Sequence, residues 1–114
     1  MYTLTHDGED VGFSKLERGD PSSHTVSGVF TNMGGAKALA GWIKSIGGEE
    51  DEGVVFITLN TGFILLDQNG KVIEFQDGNL ISIPDDDEVF LDITGLSDEV
   101  YKTYFAEHIS AMES

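Results

Sequence analysis

The sequence predicts an α+β fold: an antiparallel β meander of about six to eight strands with two helices packed on one face. Three observations lead there. Short apolar runs with period-two alternation recur between Tyr2 and Thr94, and tight-turn pairs such as Asp7-Gly8, Asn69-Gly70 and Asp77-Gly78 separate them. Two other stretches carry apolar residues at helical spacing instead. The chain has 114 residues and 39% hydrophobic content, enough for one domain over residues 1–114 with a core of its own.

Tyr2 to Leu16 reads as a hairpin about Asp7-Gly8, pairing Leu4 with Val11 and Tyr2 with Phe13 on one apolar face. Lys15 to Ser23 is polar, holds Gly19-Asp20-Pro21 and reads as a loop. Thr25 to Thr31 is a short strand, and Gly28 inside it marks a bulge or a close backbone approach. Asn32 is placed to cap a helix over about 34–46, whose inward stripe is Ala36, Leu39, Ala40, Ile43 and Ile46. Gly47-Gly48 ends it.

Val54 to Leu59 is an apolar strand, and Asn60-Thr61-Gly62 turns it into the central hairpin, Phe63 to Phe75. A two-residue type I′ turn at Asn69-Gly70 sets Leu66 opposite Ile73 and Ile64 opposite Phe75. Those four form the apolar face, while Leu65, Asp67, Val72 and Glu74 form the mixed, less buried one. Asp77-Gly78 reads as the next turn, pairing Phe75 with Leu80, and Leu80 to Ile83 as a strand ended by Pro84. Val89 to Thr94 alternates as a further strand. Ser97 caps a last helix with Asp98 and Glu99 in its first turn and Leu96 and Tyr101 as its staple. Its inward stripe is Tyr101, Tyr104, Phe105, His108, Ile109 and Met112.

Charge is the strongest global feature: 21 Asp and Glu against 6 Lys and Arg, a net −15. Such a surface repels nucleic acid and anionic membranes and attracts basic proteins. With no cysteine, disulfides, thiolate catalysis and Cys-ligated zinc are excluded. The opening MYTLTHDGED has neither a basic n-region nor an apolar h-region, and no run is long enough to span a bilayer. The expectation is a soluble, cytoplasmic protein.

The chemistry-bearing residue types do not form an active-site pattern. Asp20, Ser22, Ser23 and His24 are triad residue types crowded on one loop, whereas known triads assemble from distant segments. No G-x-S-x-G and no H-E-x-x-H occurs. His6 is expected exposed beside its turn, and His108 is expected packed on its helix. Counted from Asp67, the calcium-loop pattern fails at Val72 and Gly78, where it needs Gly and Glu. Gly34-Gly35 lacks the Lys-Ser/Thr of a phosphate loop. No cofactor, no metal and no direct nucleic-acid contact are expected.

Two acidic runs remain, Glu49, Glu50, Asp51, Glu52 and Asp85, Asp86, Asp87, Glu88, each in a loop before a strand. In an antiparallel sheet both can reach one edge. The bland readings are solvated loops, solubility, or gatekeepers against edge-to-edge pairing. The functional reading is a partner-binding surface for a basic protein.

Leu16-Glu17-x-Gly19-Asp20-Pro21, with the strand through Phe30, resembles a turn in small uncharacterised bacterial proteins, as does the passage from Ile93–Leu96 into Tyr101 and Phe105. In size and charge the chain resembles toxin-immunity proteins, which are encoded beside secreted bacterial toxins and neutralise them by binding. The resemblance implies no catalytic residue. The leading expectation is thus a non-enzymatic immunity or inhibitor protein for a basic toxin or nuclease. The alternatives are a phage-type nucleic-acid mimic aimed at a host nuclease, and a small-ligand or regulatory module using a groove around Trp42. A homodimer through an uncovered sheet face is a further expectation.

Overall fold

A computed structural model describes residues 1–59 and 62–113, with side chains as far as Ile109. The first part of the chain holds β1 (Tyr2–His6), β2 (Glu9–Ser14), β3 (Arg18–Asp20), β4 (Thr25–Thr31) and helix α1 (Gly35–Ser45). The middle holds β5 (Glu49–Asp51), β6 (Val54–Thr58), β7 (Phe63–Leu66), β8 (Val72–Ile73) and β9 (Asp77–Ile83). A 3₁₀ turn (Pro84–Asp86), β10 (Glu88–Thr94) and helices α2 (Asp98–Tyr104) and α3 (Ala106–Glu113) complete it. The α+β class and the antiparallel sheet are as the sequence predicts, with ten strands and three helices among the described residues.

The strand order is β5-β6-β9-β10-β4-β2-β1-β7-β8, with β3 beside β4 as well. This is not the expected meander. The central hairpin leaves its sequence neighbours and pairs with β1, Leu65 opposite Leu4, while β6 pairs with β9. The order also forces the sheet to fold over. Six strand spacings separate β8 from β9, about 29 Å in a flat sheet. The link from Ile73 to Asp77 is four Cα steps, at most about 15 Å. The two arms therefore face each other, and Leu4, Leu65 and Ile73 from one join Val55, Leu80, Leu91 and Ile93 from the other in one buried cluster.

The arms share β4, and a bulge marks the join. Ser14 pairs with Phe30 and Arg18 with Ser27, so β2–β3 carries one residue more than β4 opposite it. Leu16 takes up the excess at φ 48° and is fully buried. A left-handed leucine costs about 1–2 kcal/mol; burying its side chain returns about 1.5–3 kcal/mol. Hydrogen bonds hold the bulge: Leu16 N–H donates to Ser14 Oγ (3.0 Å), and His108 Nε2 donates to the Leu16 carbonyl (3.1 Å). Val29 N–H donates to Glu17 Oε1 (3.1 Å). A Cβ at Gly28 would collide with the Glu17 carboxylate and the Ser14 hydroxyl, so side chains, not the expected backbone, come close there. The loop expected over 15–23 is interrupted by β3, with the bulge at 15–17 before it and a turn from Pro21 after it.

Two hairpins depart from their predicted registers for the same kind of reason, one residue more or less in the pairing. At Asp7-Gly8 both residues adopt positive φ, and His6 pairs with Glu9 as expected. The register then slips, so that Leu4 faces Gly12; Leu4 and Val11 stay buried, but Phe13 turns outward. In the central hairpin Leu65, not Leu66, faces Ile73. Only Gly70 takes positive φ (81°), giving a three-residue loop closed by Asp67 N–H donating to the Lys71 carbonyl (2.9 Å). The one-residue shift exchanges the faces of the first strand alone, since Ile73 stays on the buried side and Val72 on the exposed one as predicted. Phe63, Leu65 and Ile73 are buried, and Ile64 and Val72 are exposed. Asp77-Gly78 is no turn but the start of β9, paired with Thr94 and Ile93. The turn expected at Asn60-Thr61 lies outside the described residues.

Helix α1 runs close to its predicted span and buries Ala36, Leu39, Ala40 and Ile43. The Asn32 side chain accepts from Gly34 N–H (2.9 Å) and donates to the Val11 carbonyl (2.6 Å). Gly47 and Gly48 close it as a Schellman motif, bonding the Lys44 and Ile43 carbonyls. The last helix is broken in two at Phe105 (φ −124°, ψ 30°), with Ser97 capping α2 through Val100 N–H (3.1 Å). Met112 of its expected stripe lies beyond the described side chains.

The helices sit at the two ends of the strands. α1 packs where β4 and β9 end, with Ser82 Oγ donating to the Ala36 carbonyl (2.7 Å). α2 and α3 pack at the opposite end, with Tyr101 donating to the Thr25 carbonyl (3.1 Å) and Tyr104 reaching Asp67.

Candidate functional site

Both acidic runs lie at the α1 end. The first is not a loop: Glu49, Glu50 and Asp51 form β5, the outermost strand of its arm, and Glu52-Gly53 makes a two-residue turn with φ 50° and 82°. This follows from β5 pairing with β6, Glu49 opposite Phe56 and Asp51 opposite Val54. The second run is the 3₁₀ turn behind Pro84, with Asp87 at φ 52° and Glu88 opening β10. Pairing of Val55 with Ser82 draws the two turns together, and Asp85 Oδ2 lies 3.9 Å from the position of a Cβ on Gly53. All eight acids are exposed.

Two of the eight serve the fold. Glu50 Oε1 meets Lys44 Nζ at 3.1 Å, a surface pair worth at most about 1 kcal/mol. Asp87 Oδ1 accepts from Ala36 N–H (3.4 Å) at the start of α1, where a negative charge suits the helix dipole. Among the described residues, Glu49, Asp51, Glu52, Asp85, Asp86 and Glu88 make neither an ion pair nor a side-chain hydrogen bond. Acids along an edge strand also oppose pairing with other chains, so β5 has a structural use as well.

A third acidic group joins them. Asp7, Glu9 and Asp10, at the β1–β2 turn, project at the α1 end. They border an open groove of about 570 Å³ between that hairpin and α1, whose walls include Val11, Leu39, Trp42 and Ile46. His6 is not exposed as expected: its ring lies tilted 4.5 Å from Phe63 and meets Trp42 edge-on at 5.4 Å. Sequence reasoning pointed to Trp42 but missed these three acids. Nothing local marks them, because the hairpin reaches α1 through the long-range β2–β4 pairing, Phe13 opposite Thr31, and the bond from Asn32 to the Val11 carbonyl.

The opposite end has a different chemistry. Asp67 is 5% exposed, and its carboxylate accepts from Asn69 N–H (2.8 Å), Lys71 N–H (2.9 Å) and the Tyr104 hydroxyl (2.8 Å). The Lys71 amide and the Tyr104 hydroxyl hold its carboxyl below the usual carboxylate range, and the same bond raises the Tyr104 phenol. Asp20, Ser22, Ser23 and His24 do not assemble a triad. Ser22 Oγ donates to Asp20 Oδ1 (2.6 Å), Ser23 Oγ bonds Thr25 and the Asp20 carbonyl, and His24 turns away to Asp98. The Ser22 hydroxyl keeps the Asp20 carboxyl below its ordinary range. His108 is packed and hydrogen-bonded as expected.

Among the described residues, no three His, Asp or Glu side chains converge as a metal-holding group, and no helix is long and apolar enough to cross a membrane. No protein-family model, curated protein sequence or solved structure matches the chain.

Proposed function

We propose that this chain is a non-enzymatic acidic binding protein of the bacterial cytoplasm, an immunity or inhibitor protein that neutralises a basic toxin by direct contact. The observation that carries the reading is the meeting of two acidic runs at one end of the sheet, with six of their eight carboxylates unengaged among the described residues. A fold that needed these acids only for its own stability would engage more of them. Clustered like charges raise the rate at which an oppositely charged partner docks and fix its orientation. A nuclease toxin must carry a positive surface to hold phosphates, and an acidic end covering it would block substrate. A second reading, a small-ligand or regulatory module, would use the groove beside Trp42.

The test combines capture and kinetics. Immobilised protein, incubated with lysate of the source bacterium and eluted by salt, is expected to release a basic protein. Association of that purified partner with a variant carrying Glu52→Gln, Asp85→Asn and Asp86→Asn is expected to slow about tenfold at low salt. Only acidic or neutral partners, or a rate independent of both salt and these substitutions, would remove the proposal.

A further inference from the structure

Resting on that reading, we infer that the groove between the β1–β2 hairpin and α1 receives an arginine side chain of the basic partner. The groove has the three parts such a side chain needs. Ala38 and Ile46 provide accessible aliphatic surface over the buried Val11 and Leu39, which suits a methylene stem. Trp42 stands in the wall, an indole able to take a guanidinium by stacking and cation–π attraction. Asp7, Glu9 and Asp10 ring the mouth as exposed carboxylates able to accept a guanidinium's paired N–H donors. Neither Lys nor Arg is among the lining side chains; Lys44 is turned to Glu50 instead. Only His6, beside Asp7, approaches these carboxylates from within the groove, and no ion pair to Glu9 or Asp10 is made among the described residues.

The surroundings also favour a side chain over a free small molecule. The groove is open to solvent along one side, so a ligand inside it projects outward. What projects lies toward the same end of the sheet as the two acidic runs, where the rest of a basic protein would rest. His6, edge-on to Trp42 and beside Asp7 (Nδ1 to Oδ2 3.7 Å), braces the indole against Phe63. The rings are thus set before any partner arrives, which reduces the ordering cost of binding.

Trp42 is the single tryptophan, so its fluorescence reads the groove directly. The probe is a capped tetra-arginine peptide, compared with tetra-lysine and with neutral, isosteric tetra-citrulline. Saturable change in Trp42 emission is expected with arginine, about threefold weaker affinity with lysine, and no change with citrulline. Asp7→Asn, Glu9→Gln and Asp10→Asn together should weaken the arginine peptide about tenfold. Asn suits the left-handed turn position of Asp7, so that variant is designed to keep the hairpin. A second variant, Ala38→Arg, places the proposed occupant on an exposed helix position at the groove and should abolish the fluorescence change. If the peptide binds without altering Trp42, and only Glu52→Gln, Asp85→Asn and Asp86→Asn weaken it, the groove assignment fails while the basic-partner reading stands. Equal affinity for arginine and lysine overturns the guanidinium assignment. Failure of both basic peptides to bind at low salt would overturn the basic-partner reading and this inference together.

Discussion

At the α2–α3 end, Asp67 is buried and its carboxylate accepts three hydrogen bonds, one from a tyrosine 37 residues away. At the α1 end, Asp85 and Asp86 are exposed and accept none among the described residues. The same side chain therefore does two jobs in one small protein. Where a carboxylate is enclosed, desolvation makes every missing hydrogen bond costly, and partners from distant segments converge on it. Where it stays in water, nothing obliges the fold to engage it, and its charge remains available to act at a distance. The difference separates carboxylates that hold the structure from those open to a partner.

The comparison can be broken first at the anchored end. Asp67 sets the three-residue loop, and that loop sets the register that buries Leu65 and exposes Ile64. Leu65→Ala is expected to cost about 2–5 kcal/mol in denaturant unfolding, and Ile64→Ala less than about 1 kcal/mol. Reversal of those two costs would restore the two-residue turn and its register.

A smaller effect separates the two kinds of aspartate by pH. The folded-state pKa of Asp67 lies below its unfolded value, so its contribution is complete above the unfolded value and is lost as pH falls through the folded one. Asp67→Asn should therefore flatten the acid limb of a stability-versus-pH curve. Asp92, half-buried on β10, has the opposite sign: burial raises its carboxyl, and the stability it contributes fades as pH rises through the folded value. Asp92→Asn should stabilise the protein at neutral pH. Thermal unfolding across pH 2–8 checks both, and an unchanged acid limb for Asp67→Asn would discredit its anchoring role.

The smallest stability change is expected at the acidic end. Asp85→Asn with Asp86→Asn should alter unfolding free energy by no more than about 0.5 kcal/mol, because surface groups without partners contribute little. A loss well above that would place these residues with Asp67, as parts of the fold rather than of an interface.

Several parts of the molecule were legible in the chain because their determinants lie within a few residues. The Asp7-Gly8 turn, the α1 stripe with its Gly47-Gly48 stop, and the Ser97 cap are of this kind. The buried aromatic pair Tyr101 and Phe105 also stood out by spacing. The break at Phe105 did not, since no Pro or Gly marks it; it lets His108 reach the Leu16 carbonyl, a contact made 92 residues away. Nor did β3, whose exposed Arg18-Gly19-Asp20 has no apolar alternation and exists because β4 offers it an edge. The two acidic runs were visible by composition, but their adjacency and the addition of Asp7, Glu9 and Asp10 were not.

By itself the sequence determined the Asp7-Gly8 turn, the Gly47-Gly48 stop, the inward stripe of α1, the α+β class and the acidic composition, because each depends on neighbours along the chain or on composition alone. The tertiary structure decided which strands lie side by side, which face of the Phe63–Ile73 hairpin is buried, and which carboxylates are engaged. Those outcomes depend on pairings such as Leu4 with Leu65 and Val55 with Ser82, and on contacts such as Tyr104 with Asp67. A short link that cannot span a flat sheet forces the arms to close. Closure then buries the side that the register of the Asp67 loop turns inward, and leaves the acids of the two runs exposed in solvent.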